Sequence, residues 1–190
     1  FPEMSERTAK TWLKEASNGN ADGYAGLGTY YEFKQSEEGT EYDAALKWYI
    51  LSKEAAHHKA EENISRIISN AALHPKYNPT EKMKILIKEY GKLVDFVNMG
   101  EKYKWGDYIN KDEKEAFGWF QLAADKGNVI AQRNIGIMFV LGRGTSKNIN
   151  KGIKWLNLAV EQNDSEAQFR LGFMYKNGIG LEKNINKAIN

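Results

Sequence analysis

Side chains able to do chemistry are sparse in this chain. It has no cysteine, which removes disulfides, thiol catalysis and thiolate zinc sites while leaving the compartment open. Of the three histidines, His57 and His58 are adjacent, and on a helix they would point about 100° apart, a poor chelating pair. His74 precedes Pro75 in a loop-like stretch. All three read as solvated side chains rather than metal ligands. Carboxylate pairs such as Glu37-Glu38, Glu61-Glu62 and Asp112-Glu113 lie in polar stretches, whereas an acid/base pair needs one carboxyl in an apolar pocket to separate the two pKa values. The glycines of "GRGT" and "GIGL" look like phosphate cradles. Such a loop, however, follows a strand and opens a helix, usually with a lysine at fixed spacing; here the glycines follow a helical pattern. No catalytic residue, metal site or cofactor is expected.

What positions these side chains is a repeat. Ala131 recurs as Ala167, Gly136 as Gly172, Phe139 as Tyr175, Gly142 as Gly178 and Gly144 as Gly180, each pair 36 residues apart. A fixed period in this range marks a repeat array. One period upstream, Met99-Gly100, Tyr103 and Gly106 keep the pattern, as do Leu27-Gly28 and Tyr31 nearer the start. Between them, Ala116, Trp119 and Ala123 match Gly152, Trp155 and Ala159. Ala45 with Trp48, and Ala9 with Trp12 and Ala16, say the same again. The least regular unit is "KAEENISRIIS", where Ser65 replaces the glycine, followed by "PTEKMKILIKEYG", where Met83 and Ile87 replace tryptophan and alanine. The expected organisation is a leading helix over about 4–19, repeats over about 20–56, 57–91, 92–127 and 128–163, and a partial repeat over 164–190, all in one domain.

Each unit reads as two helices. In helix A, Ala131, Ile135 and Phe139 are spaced four apart on one face. Glycine inside a helix costs about 1 kcal/mol relative to alanine, so its repeated use implies close packing. "GRG" and "GIG" then end helix A, because glycine tolerates the left-handed conformation after a helix. In helix B, Ala116, Trp119, Phe120 and Ala123 form the inward stripe and Gly127 closes it. The periodic tryptophans Trp12, Trp48, Trp119 and Trp155 are therefore expected in the core, with Trp105 the exception, outside that position. One hairpin cannot bury its face alone, but stacked hairpins share a continuous core. The expected fold is all-α: an α-solenoid, a right-handed superhelix of stacked helix-turn-helix repeats.

The pattern A-x-x-x-[LI]-G-x-x-[YF]-x-x-G-x-G, followed by K-[AG]-x-x-W-[YFL]-x-x-A-[AV], resembles the Sel-one-like repeat, a relative of the tetratricopeptide repeat. The resemblance covers essentially the whole chain, strongest in the last three units and weakest in the second. It implies a non-catalytic scaffold or adaptor that holds a protein or peptide, in keeping with members found in bacterial envelopes or in host interaction. Some bacterial members are immunity proteins that cap a secreted toxic enzyme, which is the alternative it offers. β-Lactam binding or hydrolysis has been proposed for others, but no serine–histidine constellation here supports an enzyme.

If the tetratricopeptide register holds, the concave face is lined by helix A residues six and three before, and one and four after, each central glycine. The first unit offers Asp22, Ala25, Thr29 and Glu32, and the second Lys59, Glu62, Arg66 and Ser69. The third gives Val94, Val97, Glu101 and Lys104, the fourth Ile130, Arg133, Ile137 and Val140, and the fifth Glu166, Phe169, Phe173 and Lys176. The early lining is charged and small; the late lining is apolar around an arginine. Exposed apolar groups in a groove mark a partner site, and arginine with aromatics are common interface anchors. The expected partner-binding residues are Arg133, Ile137, Val140, Phe169 and Phe173, with Glu101, Lys104 and Arg66. Packing against the next repeat is the competing explanation for the same side chains.

The 190 residues are 42% hydrophobic and carry a net charge of +2. So small a charge gives no reason to expect nucleic acid, which calls for a strongly basic face. No run of about 18 apolar residues is present to span a membrane. The opening "FPEMSERTAK" lacks the apolar core of a signal peptide, although it could follow one already removed. The closing "NKAIN" matches the start of a helix B and reads as an incomplete hairpin. The stretch from Ala71 to Thr80, with Pro75 and Pro79, reads as a stiff irregular loop.

Overall fold

In the computed structural model, residues 6–34, 41–74, 76–106, 109–180 and 184 are described. They form ten α-helices and no strand, the all-α helical repeat fold that the period implies. By contacts the chain divides into two compact units, residues 1–95 and 96–190. The expectations for "NKAIN", Glu37-Glu38 and Pro75 fall outside the described residues.

Unit 1 holds α1 (Glu6–Ser17), α2 (Ala21–Phe33), α3 (Glu41–Glu54), α4 (Ala60–Leu73) and α5 (Glu81–Tyr90). Two helices begin on side-chain caps: Asn20 accepts from the Asp22 and Gly23 amides, and Thr80 from the Met83 amide. Each cap satisfies amides that the first turn leaves without intrahelical partners. Helices adjacent in sequence pack in turn, but α5 packs only lightly on α4. The repeat made of these two helices is the one with Ser65 in place of the glycine. The connection from α4 to α5 is tied back to the start of α3: the Tyr77 hydroxyl donates to Asp43, and Thr80 Oγ1 lies 3.2 Å from the other carboxylate oxygen of Asp43. The stretch read as an irregular loop is shorter than expected, because Ala71–Leu73 close α4.

Unit 2 contains α6 (Leu93–Trp105, whose first three residues fall in unit 1), α7 (Glu113–Asp125), α8 (Val129–Leu141), α9 (Ile149–Glu161) and α10 (Ser165–Asn177). Its last four helices all start on an Asp or Asn cap: Asp112, Asn128, Asn148 and Asp164 each accept backbone amides of the first turn. Helices α8 and α10 stop at Gly142 (φ 71°) and Gly178 (φ 67°), left-handed positions as the "GRG" and "GIG" spacing implies. Gly144 has a second reason to be glycine, since a Cβ there would overlap the Glu113 carbonyl at the start of α7.

The glycine inside helix A proves to be a seat. A Cβ at Gly28 would lie 2.5 Å from the Tyr49 ring, at Gly100 2.7 Å from the Phe120 ring, and at Gly136 2.7 Å from Leu156 Cγ. The knob is thus the residue after each tryptophan. Tyr49, Phe120 and Leu156 are fully buried. This corrects the expectation for the tryptophans: Trp119 is in the core, but Trp12, Trp48 and Trp155 are half-buried. A helix B offers only one position to the glycine seat, and the bulkier indole next to it spreads along the hairpin edge, as where Trp48 stacks on Tyr24 at 6.1 Å.

Candidate interaction groove

Helices α6, α8 and α10 each contribute one ridge to an open cavity of about 760 Å³ lying wholly within unit 2. Lys104 and Trp105 come from the last turn of α6. Arg133, Asn134, Ile137, Met138 and Leu141 form the ridge of α8, and Glu166 with Arg170 that of α10. Lys111, Glu113 and Ala116 close the side at α7, and Arg143 projects from the loop after α8. An adjoining niche of about 140 Å³ is almost entirely apolar, with Val140, Leu156, Phe173, Met174 and Ile179 in its walls; it shares Ile137, Leu141 and Arg170 with the larger cavity.

The polar side chains are organised by Glu101, just behind the wall. Its carboxylate accepts from Trp105 Nε1 at 2.6 Å, from Asn134 Nδ2 at 3.1 Å and from Lys104 Nζ at 3.3 Å. Lys104 Nζ also donates to Asn134 Oδ1 at 2.9 Å and sits 4.7 Å from the Trp105 ring centroid. This fixes the rim of α6 against α8. Arg133 Nη1 pairs with Asp164 Oδ2 at 2.7 Å, while the other oxygen of Asp164 caps α10, so the arginine braces α10 as well as lining the groove. Arg170 pairs with Glu166 at 2.7 Å and Lys111 with Glu113 at 3.1 Å, both largely in water. Arg143 forms no ion pair among the described residues; only its backbone amide is engaged, with the Met138 carbonyl. Burial lowers the Lys102 ammonium, one residue from Glu101, to a pKa of about 8.

Of the residues expected from sequence, Lys104, Arg133 and Ile137 line the groove, Glu101 orders its rim, and Ile137, Val140 and Phe173 line the niche. Ile137 and Val140 also pack on the buried cluster of Ile153, Leu156, Ala159, Ala167, Leu171 and Met174, so for these two the packing explanation holds in part. Phe173 stays 54% exposed and Phe169 66%, but Phe169 lines neither cavity. Trp105 is 63% exposed and stands in the wall. Val97, expected on the lining, is buried in the core. Arg66 belongs to unit 1, where its guanidinium grips Glu32 through Nε at 3.0 Å and Nη2 at 2.9 Å. His57 and His58 lie between α3 and α4 rather than on a helix; His57 Nε2 is 3.4 Å from Asp22 Oδ1. Among the described residues no three His, Asp or Glu side chains gather as a metal site would need.

Sequence reasoning missed Asn134, Met138, Leu141, Arg143 and Arg170. Four of them sit two before, two after or five after a central glycine, one step round the helix from the register applied. The matching polar residues Asn134 and Arg170, one period apart, carried that signal. Arg143 was read only as part of a glycine turn.

The Sel1 repeat family model matches residues 21–57, 97–128, 129–164 and 165–190. The unmatched interval covers most of the second repeat, where Ser65 replaces the glycine. Among solved structures, a protective antigen of uropathogenic Escherichia coli with an SLR fold is 25% identical, with a TM-score of 0.52 over 93% of this chain and 38% of its own. A Sel1 repeat protein from Oxalobacter formigenes is 19% identical, with a TM-score of 0.46 over 95% of this chain and 62% of its own. The chain therefore spans less than two thirds of either. No curated protein matches the sequence. Proteins of this family are generally non-catalytic scaffolds for protein interaction. With matches over more than half of its length, the chain belongs to the Sel1 repeat family.

Proposed function

We propose that this chain is a non-catalytic interaction module whose partner protein is held in the groove of unit 2. The observation that carries this reading is the joint presence of an open cavity of about 760 Å³ and an apolar niche beside it, with Trp105 and Phe173 left exposed in their walls. Large aromatic side chains held by a rigid frame contribute contact area at little entropic cost, which suits a binding surface. The helices beneath are fixed by caps and by the Glu101 and Asp164 bridges, so the walls are preorganised, and less ordering opposes binding.

The test is site-specific photo-crosslinking in the source cells. A photoreactive residue at Leu141, exposed in the groove, should trap one protein. The same residue at Leu73, exposed on α4 of unit 1, should not. Equal yields from both positions, or adducts from Leu73 alone, would sink the assignment. Affinity then sorts the roles: an adaptor binds several partners at micromolar strength, whereas an immunity protein has one partner held far more tightly.

A further inference from the structure

We infer that the unit 2 groove recognises an acidic segment of its partner chain, with carboxylates on Arg143 and Arg170 and one apolar side chain in the adjoining niche. This rests on the groove being the binding surface.

The large cavity is walled by five basic side chains (Lys104, Lys111, Arg133, Arg143 and Arg170) and two acidic ones, Glu113 and Glu166. These cations are not equally committed. Lys104 is held by Glu101 and Asn134. Arg133 is held by Asp164, whose side chain is only 9% exposed. The pairs of Arg170 and Lys111 are open to water, where such pairs contribute little and exchange readily for another carboxylate. Arg143 has no carboxylate at all among the described residues, and its planar fork suits bidentate capture of one. The groove thus presents one arginine without an ion pair among the described residues and two weakly held cations.

The niche supplies the second half of the specificity. Its walls are apolar apart from Arg170, which it shares with the large cavity. Side chains of an extended segment alternate between faces, so a carboxylate on Arg170 leaves the side chain two residues on at the mouth of the niche. Polyanionic nucleic acid fits less well: Glu113, Glu166 and Glu101 would repel a phosphate backbone, and Phe173 is the one aromatic side chain among the described residues that line the niche.

Blocked peptides with glutamate and leucine alternating at every second position and glycine between them, with glutamine–leucine, glutamate–serine and lysine–leucine controls, test this by fluorescence anisotropy on the full chain. The glutamate–leucine peptide should bind, and replacing either glutamate or leucine should weaken it about tenfold. Binding should fall as salt rises. Arg143→Gln should lose about tenfold, and Arg143→Glu should reverse the preference toward the lysine–leucine peptide. The Arg143 side chain projects from a loop and makes no ion pair or hydrogen bond among the described residues, so both variants fold. Equal binding of the glutamine–leucine peptide, or no peptide binding at all, overturns the acidic assignment. So does tighter binding of oligothymidylate with the same dependence on Arg143. In each case a Leu141 cross-link to a partner protein would show that the groove itself is still the interaction surface.

Discussion

Unit 1 and unit 2 both tie charged helix A residues to neighbouring helices, but in unit 2 further cations line an open cavity beside that bridge. In unit 1, Glu32 is 4% exposed and accepts from the Tyr49 hydroxyl at 2.6 Å, from Arg66 twice, and from Asn70 Nδ2 at 3.3 Å. The Glu32 and Arg66 charges are thereby consumed by each other. In unit 2 the ridges are spread around an open cavity, its outer ion pairs are wet, and Arg143 has no ion pair among the described residues. The same repeat can therefore lock its lining shut or leave it available. Composition does not separate the two outcomes; the reach of individual side chains does, because Glu32 and Arg66 lie on successive helices A close enough for a bidentate pair.

The largest expected effect tests the locked side. Arg66→Ala leaves the Glu32 carboxylate, 4% exposed, with the Tyr49 and Asn70 hydrogen bonds but no cation, and should lower stability by about 2–3 kcal/mol in urea unfolding, without altering partner capture from Leu141. A smaller effect separates the glycine seats. Gly136→Ser drives an atom into Leu156 and should cost about 2 kcal/mol. At the half-buried Ser65 of α4, a helix on which α5 packs only lightly, Ser65→Gly should shift stability by no more than about 1 kcal/mol.

The two units should also respond to alkali in opposite senses. Lys102 in unit 2 titrates at about 8 when folded, because of burial, against an ordinary value of 10.5. Between those values the unfolded chain binds more protons, so this lysine makes stability rise with pH. Tyr49 in unit 1 is pushed well above its ordinary 10.0 by burial and by its bond to Glu32. Its contribution is present below pH 10.0 and declines above it, as the unfolded chain ionises first. Unfolding midpoints across pH should rise and then fall; Lys102→Met should flatten the rise, and Tyr49→Phe should reduce the fall. The smallest stability effect belongs to Arg143→Gln, within about 0.5 kcal/mol of wild type.

Much of the fold was legible because its determinants are periodic. Alanine and glycine at fixed spacing mark where helices approach, and paired glycines mark where helix A ends. The assignment of the knob was not legible: tryptophan, being larger and more conspicuous, drew the reading away from Tyr49, Phe120 and Leu156 beside it. The candidate site was half legible. Arg133, Ile137 and Lys104 follow the register, but the groove also turns one residue round α8 and α10, to Asn134, Met138 and Arg170. That rotation depends on how far each glycine lets its neighbour approach, which is a packing outcome rather than a pattern. Arg66 could not be told from a free cation without knowing that Glu32 reaches it.

The most direct test of the central claim, that the open lining of unit 2 is the interaction surface, is hydrogen exchange of the full chain with and without its cross-linked partner protein. Protection should appear over residues 104–105, 133–143 and 166–174, with residues 29–32 and 62–70 unchanged. Protection confined to the unit 1 segments, with 133–143 exchanging as in the free chain, would contradict it.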